Sequence, residues 1–155
     1  MNRRAFLLTT GAAMLAQPLT AETCDFEICR SEAQWRARLS DDEYLVLREE
    51  ETEQPYTSPL NEETRPGTYQ CRGCDLPVYG AEAKYDSETG WPSFFESLPN
   101  AVRTKEDRRF IFQVRTEVHC RRCGGHLGHI FDDGPEPTGK RHCLNGLSLS
   151  FAPAG

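Results

Sequence analysis

Seven cysteines and four histidines are the residues of this 155-residue chain best suited to chemistry, and their spacing sorts them. Cys71-x-x-Cys74 and Cys120-x-x-Cys123 have the interval at which a short turn aims two thiolates at one point. Two such knuckles complete a tetrahedral four-cysteine zinc site. The 45 residues between the pairs exceed the roughly 15–20 of a simple ribbon, so a substantial unit is inserted between them. Three other uses stand beside zinc. The pairs can be disulfides, or one can be a thioredoxin-like redox motif, although neither sits in a βαβ pattern. Alternatively, Cys120 and Cys123 can join His126 and His129 around one ion, which would orphan the other pair. A closed four-thiolate site leaves no position for water or substrate, so its role would be structural and a zinc hydrolase is excluded.

Cys143 is left over, with Cys24 and Cys29 far upstream. A lone cysteine is most often a small buried hydrophobe. Lys140, Arg141 and His142 precede this one, however, and cationic neighbours favour the thiolate, which is the nucleophile. Asn145 shares its strand face and offers an amide. His126 and His129 can supply protons if the fold brings them near.

The elements that must position these residues can be read in outline. "SEAQWRARLSDDEYLVLREEETEQ" starts with a serine cap, places Trp35 and Leu39 at helical spacing and continues into a second helical piece around Tyr44–Arg48. Prolines break "QPYTSPLNEETRPG" into an irregular connection. "GTYQC", "LPVYG", "RRFIFQVRTEVHC" and "LNGLSLSF" read as strands, and "DDGPEPTGK" as a loop. The outcome is a short helical N-terminal arm on an antiparallel β domain.

Residues 1–21 read as a separate object. Arg3 and Arg4 precede an apolar run from Ala5 to Ala16, and "LTA" offers a cleavage site; the arginine pair followed by Phe6 and Leu7 fits a twin-arginine export signal. The run is too short for a spanning helix, so no stable membrane insertion is expected. Removing the signal takes two arginines and no acid from a chain whose formal charge is already −6. Nucleic acid is a poor partner for such a surface. The expected organisation is an export signal (1–21), a flexible arm (22–30) and one domain (31–155), with a periplasmic or otherwise exported location.

"GWPSF" (Gly90–Phe94), "CGGHLGHIFDDGPEPTGKRHCLN" (Cys123–Asn145) and the two CxxC pairs resemble methionine sulfoxide reductases of type B. The resemblance runs from "SEAQWRARL" through "TEQPYTSPL" to Phe151. It implies two antiparallel sheets packed as a sandwich or distorted barrel, short N-terminal helices, and one structural Zn2+ on Cys71, Cys74, Cys120 and Cys123. It also implies a monomer that reduces methionine R-sulfoxide, free or in proteins, with Cys143 as nucleophile passing through a sulfenic acid. His129 and His126 match the histidines around the leaving oxygen, with Asn145 completing the set. Arg141 matches a position that supports the site, and Trp91 the indole against which the substrate methyl packs. Asp132 and Asp133 are read as loop supports.

Two departures stand out. Many family members carry a resolving cysteine just before "GWPSF"; here Thr89 takes its place. Cys29 and Cys24 are the substitutes, unless they pair with each other or an external thiol, such as a thioredoxin-like donor, reduces the sulfenic acid directly. Gly146 and Leu147 replace a run of small residues, and a leucine there can narrow or reshape the pocket. The competing function is a zinc-ribbon binding module with an inert Cys143, since fold alone does not fix activity.

Overall fold

Serines start both helices. The side chains of Ser31 and Ser40 accept from the N–H of Gln34 (3.3 Å) and Glu43 (3.2 Å), and each partner's side chain returns a bond from the serine N–H at 2.9 Å. These reciprocal caps, each worth about 1 kcal/mol, open α1 (Glu32–Arg36) and α2 (Asp41–Glu49). The helices bury Trp35, Tyr44, Val46 and Leu47, and the turn between them buries Leu39. The computed structural model describes residues 24–110 and 113–155. The expected export signal, 1–21, lies outside the described residues. No described helix is long and apolar enough to cross a membrane.

Among the described residues nine strands follow: β1 (Gly67–Cys71), β2 (Pro77–Gly80), β3 (Lys84–Tyr85), β4 (Ser93–Phe94), β5 (Val102–Phe110), β6 (Gln113–Cys120), β7 (His126–Phe131), β8 (Arg141–Leu144) and β9 (Leu149–Pro153). They form a three-stranded sheet, β2-β1-β9, and a six-stranded sheet, β3-β4-β8-β7-β6-β5, with every pairing antiparallel. The two sheets bear out the expected mainly-β architecture; neither closes into a barrel. Aromatic side chains join them. Tyr69 of β1 and Tyr79 of β2 pack on Phe94 of β4 with ring centroids 4.9 and 4.7 Å apart.

Three strand expectations change. "RRFIFQVRTEVHC" is not one strand but the meeting of β5 and β6. β5 begins earlier, at Val102, in the charged stretch "VRTKEDRRF", which no hydrophobic alternation marks. It is the edge strand of its sheet, where charge prevents pairing with other chains. "LNGLSLSF" divides between the sheets: β8 ends at Leu144, a turn of 3-10 helix spans Gly146–Ser148, and β9 belongs to the smaller sheet. "HLGHIF", absent from the strands read above, is β7, with a neighbour on each side.

Gly128 makes that central strand possible. A Cβ there would fall on the carbonyl oxygen of Cys143 and lie 2.9 Å from the Leu144 Cα. The requirement is close approach of β8. Gly128→Ala should cost about 2–3 kcal/mol, seen as a lower urea midpoint and a loss of activity.

Candidate active site

In an antiparallel sheet, directly opposed residues share a face with Cβ atoms about 4.5–5.5 Å apart. Tyr85 opposes Ser93, Ser93 opposes Cys143, Cys143 opposes His129, His129 opposes Glu117, and Glu117 opposes Lys105. One row therefore crosses all six strands, with Cys143 and His129 at its centre. His126 is three residues from His129, which in a regular strand would put it on the other face. The β6–β7 register slips between Val118↔Gly128 and His119↔His126, leaving Leu127 as the extra residue of a bulge. The bulge returns His126 to the row's face, its ring centroid 5.3 Å from that of His129.

Cys143 is a free, partly buried thiol. It lines a pocket of about 140 Å³ with Thr52, Trp91, Arg115, Gly128, His129, Phe131, Leu144 and Asn145. Drug-sized ligands occupy about 300 Å³ or more, so this pocket suits one side chain. Burial pushes the Cys143 thiol above its ordinary value, and Arg141, Thr89 and Ser93 pull against it without prevailing.

The expected cluster of cations around the thiol is thus only partly realised. Alternation along β8 puts His142 on the opposite face, against Tyr79, whose hydroxyl is 2.9 Å from Nδ1. Burial, with Lys140 nearby, lowers His142 to about 4, so it is neutral. Lys140 pairs with Asp132. Arg141 alone acts on the thiol, held by two 2.9 Å bonds to Asp133 and stacked 4.4 Å from the Phe131 ring centroid. Asp132 and Asp133 are loop supports, as read from the sequence.

The histidines have carboxylate partners that sequence reading missed. His129 Nε2 lies 2.9 Å from Asp107 Oδ2, which also accepts from Arg115 at 2.6 Å. Burial lowers the His129 pKa against the pull of Asp107. His126 Nδ1 is 2.8 Å from Glu117 Oε1. Burial would raise Glu117, but bonds from His119 and His126 carry it well below the carboxylate range. Asp107 and Glu117 sit in the charged and mixed stretches of β5 and β6, where nothing distinguishes them from solvated acids.

Glu53 is another missed residue. Its carboxylate accepts from Gly146 N (2.5 Å) and Leu147 N (2.9 Å), its N–H donates to Asn145 Oδ1 (3.0 Å), and its carbonyl accepts from Trp91 Nε1 (3.1 Å). Burial raises its pKa against the two backbone donors. Asn145 also donates to Leu127 O at 3.3 Å, so its amide ties main chain together beside the pocket. Gly90, just before Trp91, has φ +90° with Pro55 and Tyr56 against it, a conformation suited to glycine. Its carbonyl accepts from Tyr56 N and Asn61 Nδ2, which fixes the indole from the other side. Leu147 lines other cavities, not the Cys143 pocket.

The sulfurs of Cys71, Cys74, Cys120 and Cys123 lie within 4.8 Å of one another, all buried. Cys71–Cys123 and Cys74–Cys120 are 3.7 and 3.4 Å apart, close to the roughly 3.8 Å spacing of sulfurs placed 2.3 Å from a tetrahedral ion. None is in a disulfide. The four can hold a metal ion such as zinc, and His126 and His129 belong elsewhere. Cys24 and Cys29 are bonded to each other, with Cα atoms 6.0 Å apart. Their arm, expected to be flexible, lies on the second knuckle: Ile28 N donates to Arg122 O, and Phe26 meets His119 edge-on at 5.8 Å. Thr89, in place of a resolving cysteine, has its hydroxyl 4.0 Å from the Cys143 sulfur.

The SelR domain matches residues 39–153. The chain belongs to the SelR-domain family. Relatives named peptide methionine sulfoxide reductase MsrB include that of Agrobacterium fabrum, 46% identical over 128 residues, or 82% of this chain and 94% of that protein. That of Thiobacillus denitrificans is 49% identical over 125 residues, 80% and 94% of the two chains. That of Leifsonia xyli is 47% identical over 131 residues, 83% and 94%. The SelR domain takes in the cysteine cluster, the transverse row, Trp91 and Asn145; the Cys24–Cys29 loop and α1 precede it.

Within the SelR domain the cluster joins the turn after β1 to the turn between β6 and β7, and so one sheet to the other. Removing the ion with a chelator should lower Tm by about 10 °C or more, with parallel loss of activity. An unchanged melting curve in fully metal-free protein would sink this coupling.

Proposed function

We propose that the chain reduces methionine R-sulfoxide, free or in proteins, with Cys143 as nucleophile. The observation that carries this reading is a free thiol in a side-chain-sized pocket, opposite His129 and beside Trp91, in a chain of the SelR family. Trp91 offers the substrate methyl an apolar wall, which sets the face of the chiral sulfur that meets Cys143.

The electron and proton balance needs only groups at the site and the substrate. The Cys143 sulfur takes the sulfoxide oxygen and is oxidised by two electrons to sulfenic acid, while the sulfoxide becomes the thioether. The thiol proton passes through imidazole to the oxygen. A neutral His129 whose Nε2–H donates to Asp107 keeps Nδ1 for accepting and returning that proton. His126 and Asn145 complete the surroundings of the oxygen, and Arg141 favours the thiolate as it forms. Thr89 cannot form a disulfide. We therefore assign regeneration to an external dithiol of thioredoxin type, which gives up two hydrogens, becomes a disulfide and releases water. The ion on Cys71, Cys74, Cys120 and Cys123 is taken as zinc, which suits four thiolates and holds the loops without entering the reaction.

We also propose export through residues 1–21, on the strength of Arg3–Arg4, the apolar run and "LTA". The donor must then work outside the cytoplasm. Replacing both arginines with lysine should leave a reporter fusion in the cytoplasmic fraction; undiminished export of that variant would argue against the twin-arginine route.

Cys143→Ser should abolish turnover of the R-sulfoxide with metal content unchanged, whereas turnover surviving in a folded variant would end the reading. Since burial raises the thiol, alkylation of Cys143 should be slow at neutral pH and rise about tenfold per pH unit. Arg141→Met should move that curve to higher pH. In the zinc-ribbon alternative, Cys143→Ser leaves partner binding intact and no sulfoxide is turned over by either protein.

A further inference from the structure

Glu117 is a carboxylate with only 2% of its surface exposed, placed where no metal ligand or substrate contact explains it. It opposes His129 in the row, yet its bonds go elsewhere. Oε1 is 2.8 Å from His126 Nδ1, and Oε2 is 3.2 Å from His119 Nδ1 and 3.4 Å from Lys105 Nζ. Lys105 in turn donates to Glu50 at 2.5 Å. His126 is equally buried at 2%, and its second ring nitrogen, Nε2, has no hydrogen-bond partner among the described residues. A buried polar atom without a partner costs about 1–3 kcal/mol and calls for an explanation.

We propose that Glu117 is a positioning residue for the reaction: it holds His126 as the Nδ1–H tautomer and thereby reserves Nε2 for the substrate oxygen or the water beside it. This rests on the reductase reading of Cys143 and deepens it. An ionised carboxylate accepts only, so the nitrogen facing Glu117 must carry the proton. Nε2 then has a lone pair when the ring is neutral and a proton to give when it is charged. The bulge at Leu127 brings the ring beside His129, which lines the pocket. Glu117 therefore acts one residue away from the chemistry, as carboxylates that orient a catalytic imidazole do. Other charged groups around this pair are Lys105 and Glu50 from the β5 side, His119 on β6, and Asp107 with Arg115 on the far side of His129.

Two measurements test the assignment. In histidine-labelled wild-type protein, long-range 1H–15N spectra at neutral pH should show His126 protonated at Nδ1; the Nε2–H tautomer would overturn the proposal. Glu117→Gln keeps the shape and removes the acceptor-only charge. It should lower kcat on the order of 10² with KM little changed, and give His126 mixed tautomers. Placed in a His126→Asn background, the same substitution should cost no further activity. An unchanged kcat with unchanged His126 shifts, or an equal further loss without His126, would defeat it. Should Glu117→Gln not fold, the wild-type tautomer decides. That spectrum needs no turnover, so failure of the reductase reading, seen as activity in Cys143→Ser, is a separate result.

Discussion

The site depends on the pairing of β7 with β8, because only that register sets His129 opposite Cys143. Antiparallel pairing then extends the alignment outward, to Ser93 and Tyr85 on one side and Glu117 and Lys105 on the other. A slip of one residue would turn the whole set to the other face. The close approach at Gly128 locks the register, since a larger residue would push β8 away from its neighbour. The candidate site is thus placed by a sheet, with short loops adding to it, and a sheet interior positions groups more tightly than loops do.

Two clamps hold the row's surroundings. The cysteine cluster crosslinks the sheets three residues before His126, where β7 begins. Glu53 works at the other end. It binds the two N–H groups that follow Asn145, the Asn145 amide itself and the Trp91 indole. A buried carboxylate is costly unless its lone pairs are satisfied, and backbone donors satisfy this one. The indole and the strand end after Cys143 consequently move together or not at all. Metal loss should loosen the β7 end first, whereas loss of Glu53 would release Trp91 and Asn145 at the β8 end.

Much of this was readable from the sequence, for reasons that differ by residue. The four clustered cysteines, which can hold a metal ion, announce themselves by spacing, and Cys143 by being left over. Ser31 marks a helix start because capping is a local interaction. By contrast, two of the three basic residues before Cys143 misled, since odd spacing in a strand means opposite faces: His142 belongs to the aromatic core with Tyr79, and Lys140 to Asp132, while Arg141 alone acts on the thiol. Asp107, Glu117 and Arg115 lie in stretches where charge is ordinary, and only cross-strand pairing shows that they meet histidines. The bulge that unites His126 with His129 has no sequence mark beyond a glycine. Glu53 sits in "EETEQ", one acid among several, and its partners Asn145 and Gly146 are more than ninety residues away.

On the reading proposed for Cys143, burial of the thiol is a smaller handicap than it first looks. A thiol above its ordinary pKa is a poor nucleophile where the thiolate must stand alone, yet sulfoxide reduction consumes a proton at the oxygen as it uses the sulfur's electron pair. Thiol plus sulfoxide gives sulfenic acid plus thioether with no net charge created, so a dry pocket does not oppose the overall step. What it requires is a carrier between sulfur and oxygen that is neutral at rest. Burial lowers His129 as it raises Cys143, so one desolvated environment sets both groups in the protonation states that a proton relay needs. On that reading the residual pull of Arg141 would serve the moment of attack rather than the resting state, stabilising negative charge on sulfur only as the proton departs.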